Sequence, residues 1–443
     1  MSGKDIRVDV HHIARVEGHG NILVDVKSGE LKEVKLEIVE SPRFFEAMLV
    51  NRRFSEAVHI TSRICGICAI SHTNASLKAI EDALGIKPTW QTETLRRILT
   101  AAEIIDSHAL HCFFLAAPDF VGAPSVIPLA STSPDVVKTA IRFKKLAHDI
   151  CDTIAGRHTH PISMVVDGFT NLITENQMLE LLPKIKEVLE NDIPKTVEFF
   201  SKLKIPQLER KTDNVCLTHP DEYAFYDGMI KSSETGEYKH RDYKLKIAEH
   251  VVDHSTAKHA FGPVKPYMVG ALSRFNNNSD QLMPRAKEVA EKLELQVPSY
   301  NPYQITLAQI VESVHCLESA IELIEELLSQ GIKDEREERP PIAGWATKLP
   351  QIKKSWGVGV VEAPRGLLVH EYKFNDDGLI ESANCIIPTA QNLDNIEADM
   401  SKLVPEILDR PREEITLLLE MLVRAYDPCI SCSTHMLKVD FIE

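Results

Sequence analysis

The 443-residue chain has no run of about 18 apolar residues of the kind that spans a bilayer, and its first residues, MSGKDIRVDV, lack the apolar core of a secretion signal. Both absences point to a cytoplasmic protein with no membrane span of its own. Positive charge is not in excess: 50 Lys and Arg against 65 Asp and Glu leave a net charge of -15, which opposes a phosphate backbone and argues against nucleic acid as a partner. The chain has no G-x-G-x-x-G followed by a ribose-binding acid, no flavin signature and no compact cysteine run for an iron-sulfur cluster, so such groups would have to sit in partner subunits. Internal repeats, low-complexity tracts and linkers are missing too, and residues 1–443 read as a single domain. Nine cysteines, an odd number without secretory features, argue against a full disulfide framework and for thiolate chemistry or metal binding.

What is present is enough apolar sequence, 44% against 26% charged, for a large core. Ile22, Val24 and Val26 alternate with polar residues, Ser28-Gly29 supplies a turn, and Val34, Leu36 and Ile38 alternate again, which predicts an N-terminal β-hairpin region over about 5–40. From about 69 to 330 the spacing is helical, with Leu77, Ile80 and Leu84 on one face and Leu95, Ile98, Leu99 and Ala102 on another. Pro340, Pro341, Gly357, Gly359, Pro364 and Gly366, then an alternating segment from Leu367 to Ile387 with a turn at Asp376-Asp377-Gly378, predict loops and short strands over about 340–392. The last segment, 413–443, begins with a helix striped by Ile415, Leu418, Leu419, Leu422 and Val423 that stops before Pro428. The predicted fold class is α+β, predominantly α: a large helical bundle core with small peripheral β-sheets.

Chemistry concentrates in two cysteine pairs. Arg63-Ile64-Cys65-Gly66-Ile67-Cys68, followed by His72, runs into a helical pattern from Ala69, and thiolates at a helix N-terminus gain from the dipole and free backbone donors. One C-x-x-C fits a thioredoxin-like redox motif or half a zinc site equally well. A second pair, in Asp427-Pro428-Cys429-Ile430-Ser431-Cys432-Ser433-Thr434-His435, lies more than 350 residues later. Four soft thiolates suit zinc, iron or nickel and exclude magnesium and calcium, and spacing alone does not choose among the three.

The segments R-I-C-G-I-C-A-I-S-H and D-P-C-I-S-C-S-T-H resemble the two cysteine signatures of nickel-iron hydrogenase large subunits. Arg15-Val16-Glu17-Gly18-His19, Glu362-Ala363-Pro364-Arg365-Gly366 and Pro388-Thr389 resemble further segments of that family in the same order, so the likeness covers essentially the whole chain and implies its large-subunit fold. It implies that Cys65, Cys68, Cys429 and Cys432 bind nickel, with Cys68 and Cys432 also bridging to iron, and that the iron carries carbon monoxide and two cyanides. Heterolytic splitting of hydrogen needs a metal to take the hydride and a nearby base to take the proton. By resemblance the proton passes from Cys429 to Glu17, and a buried carboxylate there would have its pKa raised towards the working range.

The same resemblance places Arg365 over the open metal position with Asp106 and Asp427 around it, and Pro364 and Thr389 at the cyanides. His72, close behind the first pair, is not expected as a ligand but as a hydrogen-bond donor to a bridging thiolate that tunes its electron density. Glu46 with His435 would help hold magnesium or a similar ion. His108, His111, His158 and His160 read as core or packing residues, and Cys112, Cys151, Cys216, Cys316 and Cys385 as buried small side chains.

Large subunits of this family are commonly made with a C-terminal extension that a dedicated protease removes, so Met436–Glu443 is either a short precursor tail or the mark of a branch that matures without cutting. Expected partners are an iron-sulfur small subunit, soluble diaphorase or ferredoxin-linked subunits, and maturation proteins. The S-C-S-T-H ending resembles the soluble branches that couple hydrogen to nicotinamide, deazaflavin or ferredoxin. Rival readings are the quinone-site subunit of respiratory complex I, which has lost the cysteines, a zinc-binding scaffold without redox activity, and a hydrogen sensor.

Overall fold

Alternation over Ile22, Val24 and Val26 builds the strand Gly20–Lys27, and Ser28-Gly29 turns it into Glu30–Ile38, paired antiparallel from Lys27 opposite Glu30 to Gly20 opposite Ile38. A further strand, Ile6–Val10, joins the other edge with Val8 opposite Val24. The computed structural model describes residues 5–335 and 354–434; Pro340, Pro341, His435 and Met436–Glu443 lie outside them. One face of the sheet, carrying Val8, Ile22, Val24 and Leu36, is buried in the core.

Behind it stand the helices Ala69–Leu84, Trp90–Ala109, Pro134–Ala155, Glu175–Asn191 and Ile305–Gln330. The last is buried on every side from Ile305 to Leu317, which marks it as the axis of the bundle. Helical backbone continues from Trp90 through a π-helical stretch, Leu110–Ala116, to Phe120, and this 31-residue segment is long enough, and contains one window apolar enough, to cross a membrane. Its most apolar window is 78% buried inside the protein, as a core helix would be.

Two stretches depart from the predicted pattern. Within the expected helical region 69–330, the strands Tyr267–Met268, Asp213–Thr218, Met229–Ser232 and Gly236–Tyr238 form a sheet in that order, and Ala248–His250 pairs with His259–Phe261. Each strand is too short for its alternation to stand out from a helical background. Within the expected loop region, Ser355–Ala363 is a strand, paired along its whole length with Gly366–Phe374, which pairs in turn with Ile380–Ile386. Gly357 and Gly359 do not break it; they let it press on the helix Ala69–Leu84. A Cβ would come within 2.1 Å of Ala79 O at Gly357 and 2.0 Å of Ala75 O at Gly359. This close approach fixes the helix that follows Cys68 against the strand that leads to Arg365.

The chain then returns through the helices Pro388–Ile407 and Arg412–Ala425, the second burying Ile415, Leu419, Leu422 and Val423 as its stripe predicts.

Candidate metal centre

Cys68 is the residue before the helix Ala69–Leu84, and Cys429 the residue before the short turn of helix Ile430–Ser433. The two chain segments meet there. Cys65 Sγ stands 3.6 Å from Cys429 Sγ across 364 positions of sequence. The sulfurs of Cys65, Cys429 and Cys432 lie within 4.8 Å of one another, and those of Cys68 and Cys432 share the same spacing with a ring nitrogen of His72. All four cysteines are buried. Hydrogen bonds from Cys429, Cys432 and Cys68 pull the Cys65 thiol well below its ordinary range. Burial, reinforced by Cys429, Cys65 and Cys68, pushes Cys432 well above it. Four soft donors that cannot all ionise alone suit thiophilic metal ions, whose charge replaces the protons, and the set fits nickel and iron. Arg43 ties the halves together, its guanidinium donating to Ile64 O at 2.7 Å and to Ser431 O at 3.2 Å.

Against this cluster lies the segment before Gly20. The Cys429 thiol is 3.2 Å from Glu17 Oε2, which also accepts from Ser431 N at 3.0 Å, and Ile430 N donates to Glu17 O at 2.9 Å. Glu17 is half-buried, not buried as expected, because it sits at the rim where the two segments cross. Gly18 permits the crossing: its φ is +89°, and a Cβ would fall 2.7 Å from Ile430 Cβ and 2.9 Å from Ser431 N.

Arg365 is buried, and its guanidinium donates to Asp427 O at 2.6 Å, to Asp427 Oδ1 at 2.8 Å and to Ser107 Oγ at 3.3 Å. Burial opposes its charge, but Asp427 and the sulfurs of Cys429, Cys68 and Cys65 hold its pKa well above the usual value. Asp106 is a correction. Its carboxylate pairs with Lys144 at 2.7 Å and His148 at 3.1 Å, because successive residues of a helix point about 100° apart and it is Ser107 that faces the arginine.

A small cavity beside the sulfurs is lined by Cys68, His72, Arg365, Pro388, Thr389 and Cys429, among others. Thr389 Oγ1 accepts from Cys429 N at 2.9 Å. Pro364 is buried next door, outside the cavity wall, and its carbonyl accepts from Arg274 at 2.9 Å. His72 Nδ1 is 3.1 Å from His370 Nε2. Glu46 is buried away from these sulfurs, with Lys258 at 3.4 Å and Cys385 N donating to it at 2.9 Å; its expected companion His435 lies outside the described residues. His108 and His111 are buried and hydrogen-bonded, to Glu312 at 2.8 Å and to Arg424 O at 2.7 Å.

Sequence reasoning missed the supporting polar residues. Glu103 caps the Cys68 helix, accepting from Ile70 N at 2.6 Å and Ser71 N at 2.9 Å, and its burial raises its pKa to about 8. Gln309 donates to Asp427 Oδ2 at 3.2 Å. Fully buried Arg274 bonds Glu312 at 2.6 and 2.7 Å and Glu362 at 2.7 Å while holding the carbonyls of Ala363 and Pro364, so the turn carrying Arg365 hangs on it. Burial raises Glu362 to about 7. The only trace of this in the sequence is charge inside otherwise apolar segments.

Residues 43–134 and 254–435, which include both cysteine pairs, match the family described as Nickel-dependent hydrogenase. The chain is 36% identical to sulfhydrogenase 1 subunit alpha of Pyrococcus furiosus over 99% of its own length and 100% of that protein. It is 33% identical to sulfhydrogenase 2 subunit alpha of the same organism, over 98% and 100%. The crystal structure of an NAD+-reducing [NiFe]-hydrogenase in the H2-reduced state superposes with a TM-score of 0.84 at 28% identity, covering 97% of this chain and 99% of that one. The chain therefore belongs to the nickel-dependent hydrogenase family, as the catalytic large subunit of a nickel-iron hydrogenase.

Proposed function

We propose that this subunit cleaves and forms dihydrogen reversibly at a nickel-iron centre, which Cys65, Cys68, Cys429 and Cys432 would hold, Cys68 and Cys432 being the residues that would serve iron as well as nickel. When bound, the centre, with carbon monoxide and two cyanides on its iron, supplies electron-rich metals that split dihydrogen heterolytically. Glu17 Oε2 takes the proton from Cys429 Sγ and releases it towards the surface that its half-burial exposes. Arg365, fixed by Asp427 and Ser107, holds a positive charge against the cavity and offers donors to a cyanide. Thr389 orients the Cys429 backbone and lines the same cavity. His72, steadied by His370, tunes the adjacent thiolates. Electrons leave to an iron-sulfur small subunit and on to NAD(P), ferredoxin or a similar soluble acceptor, a reading that the likeness to an NAD+-reducing enzyme and to sulfhydrogenase alpha subunits supports. Glu46 would join His435 in holding magnesium or a similar ion; Lys258 already neutralises Glu46, and no step depends on that ion.

The observation that carries this reading is the convergence of four buried sulfurs with one carboxylate and one guanidinium. Infrared spectroscopy of the purified complex, with nickel and iron quantified on the same sample, tests it. One carbonyl and two cyanide bands with nickel and iron near one each are expected. Zinc in their place, with no bands in material matured in a competent host, would overturn it.

A further inference from the structure

A second group of metal-type donors lies outside the four-cysteine centre and shares no residue with it. In the hairpin of Ala248–His250 and His259–Phe261, His259 stands directly opposite His250, so both imidazoles share one face. That face meets the helix Pro388–Ile407, where Asp394 and Glu397, three residues apart, occupy one side. His254 comes from the connecting segment. Donor atoms of His254, His259 and Glu397 lie within 4.8 Å of one another, as do those of His250, His259 and Asp394.

The hydrogen bonding within the group is that of a site built for a ligand. His259 is fully buried and its Nδ1 is 2.6 Å from Asp394 Oδ1, which orients the ring and leaves the lone pair on Nε2. Nε2 is buried with no hydrogen-bond partner among the described residues, and the same holds for His250 Nδ1. Leaving such nitrogens unsatisfied is costly, and an imidazole tied to a carboxylate through one nitrogen with the other free is the usual arrangement of a metal-bound histidine. The His254 and His250 side chains are 17% and 32% exposed, which gives an ion a way in. Asp394 and Glu397 supply the charge to neutralise a dication.

We propose that His254, His259 and Glu397, with His250 alongside and Asp394 orienting His259, bind a zinc-class divalent ion. Imidazole with a single carboxylate ligand favours zinc and its neighbours over magnesium or calcium. The ion would replace the His254 Nε2–Glu397 Oε1 hydrogen bond of 2.8 Å, with His254 binding as the neutral imidazole whose N–H sits on Nδ1. The ion would clamp the hairpin to the helix whose first turn contains Thr389.

The test uses the intact hydrogenase complex, dialysed against a chelator and then titrated with zinc. One saturable equivalent per large subunit is expected beyond the unchanged nickel and iron, weakened at least 100-fold in both His254→Gln and Glu397→Gln. Cobalt(II) in place of zinc, on the wild-type complex, should show the visible bands of a four- or five-coordinate imidazole site, a measurement that needs no variant. Failure to find a saturable equivalent, an equivalent that survives both substitutions, or a cobalt spectrum of the hexaaquo ion would each overturn the proposal.

Discussion

The Cys429 sulfur and the Glu17 carboxylate stand 3.2 Å apart although 412 residues separate them, and nothing lies between. Besides the neighbouring sulfurs, a proton leaving that sulfur has one acceptor within direct reach among the described residues, the Glu17 carboxylate. Glu17→Gln keeps the hydrogen bond from Ser431 N but removes the base, so hydrogen-driven dye reduction should fall at least about 100-fold. Nickel and iron contents should stay at wild-type levels. Turnover retained in a fully loaded variant would mean that protons leave another way.

Gly18 makes a sharper comparison. Gly18→Ala must accommodate a Cβ 2.7 Å from Ile430 Cβ at a φ of +89°, pushing Glu17 off Cys429. Activity should drop about tenfold or more, in line with the sensitivity of proton transfer to roughly ångström misplacement. Gly85→Ala is the control: its φ is +65° but nothing lies within 4 Å of a Cβ, so it should cost about 1 kcal/mol of stability and leave the rate unchanged.

Removing the carboxylate in Asp427→Ala takes away the one ion-pair partner of the buried Arg365 among the described residues and leaves its guanidinium hydrogen-bonded to a carbonyl and a hydroxyl. The expected loss is about 3 kcal/mol, seen as a lower urea midpoint. Arg365→Lys should instead preserve most of the stability and lose activity, since an ammonium cannot span Asp427 and Ser107 together. Equal damage to stability in both variants would contradict this division.

Stability should also depend on pH through Glu103. Its carboxyl, raised by burial to about 8 in the folded chain from an ordinary 4.5, binds more protons folded than unfolded between those values. Its stabilisation is therefore complete below about pH 4.5 and is lost as pH rises through 8. Glu103→Gln, which keeps an acceptor for Ile70 N or Ser71 N, should flatten the decline in unfolding midpoint across that window. An unchanged slope would assign the dependence elsewhere.

The centre was legible where its chemistry is local. Two cysteines three residues apart announce a paired donor, and two such pairs announce each other, so Cys65, Cys68, Cys429 and Cys432 could be named without coordinates. The hairpin around Ser28-Gly29 was legible for the same reason, its period being contained in a few residues. Asp106 failed because adjacent helical residues differ only in direction, and the sequence does not say which of Asp106 and Ser107 turns inward. The strand Ser355–Ala363 was misread because Gly357 and Gly359 look like breakers until the helix Ala69–Leu84 is seen pressing on them. Arg274 and Glu312 were invisible, and Glu362 stood only as one letter of a matched segment, because their meaning is mutual: each is an anomaly alone and a satisfied charge only with the others in place.

The sulfur of Cys429 belongs to a segment made 364 residues after Cys65, and a metal bound by both closes a loop that is most of the chain. Chain-entropy reasoning developed for disulfides gives such a closure about 6 kcal/mol, taken from the freedom of the unfolded ensemble. A centre held in this way would be a staple as well as a catalyst. Loading it would secure the polypeptide, and a chain stripped of metal should loosen first by peeling away Cys429 and Cys432, before the helical bundle gives way.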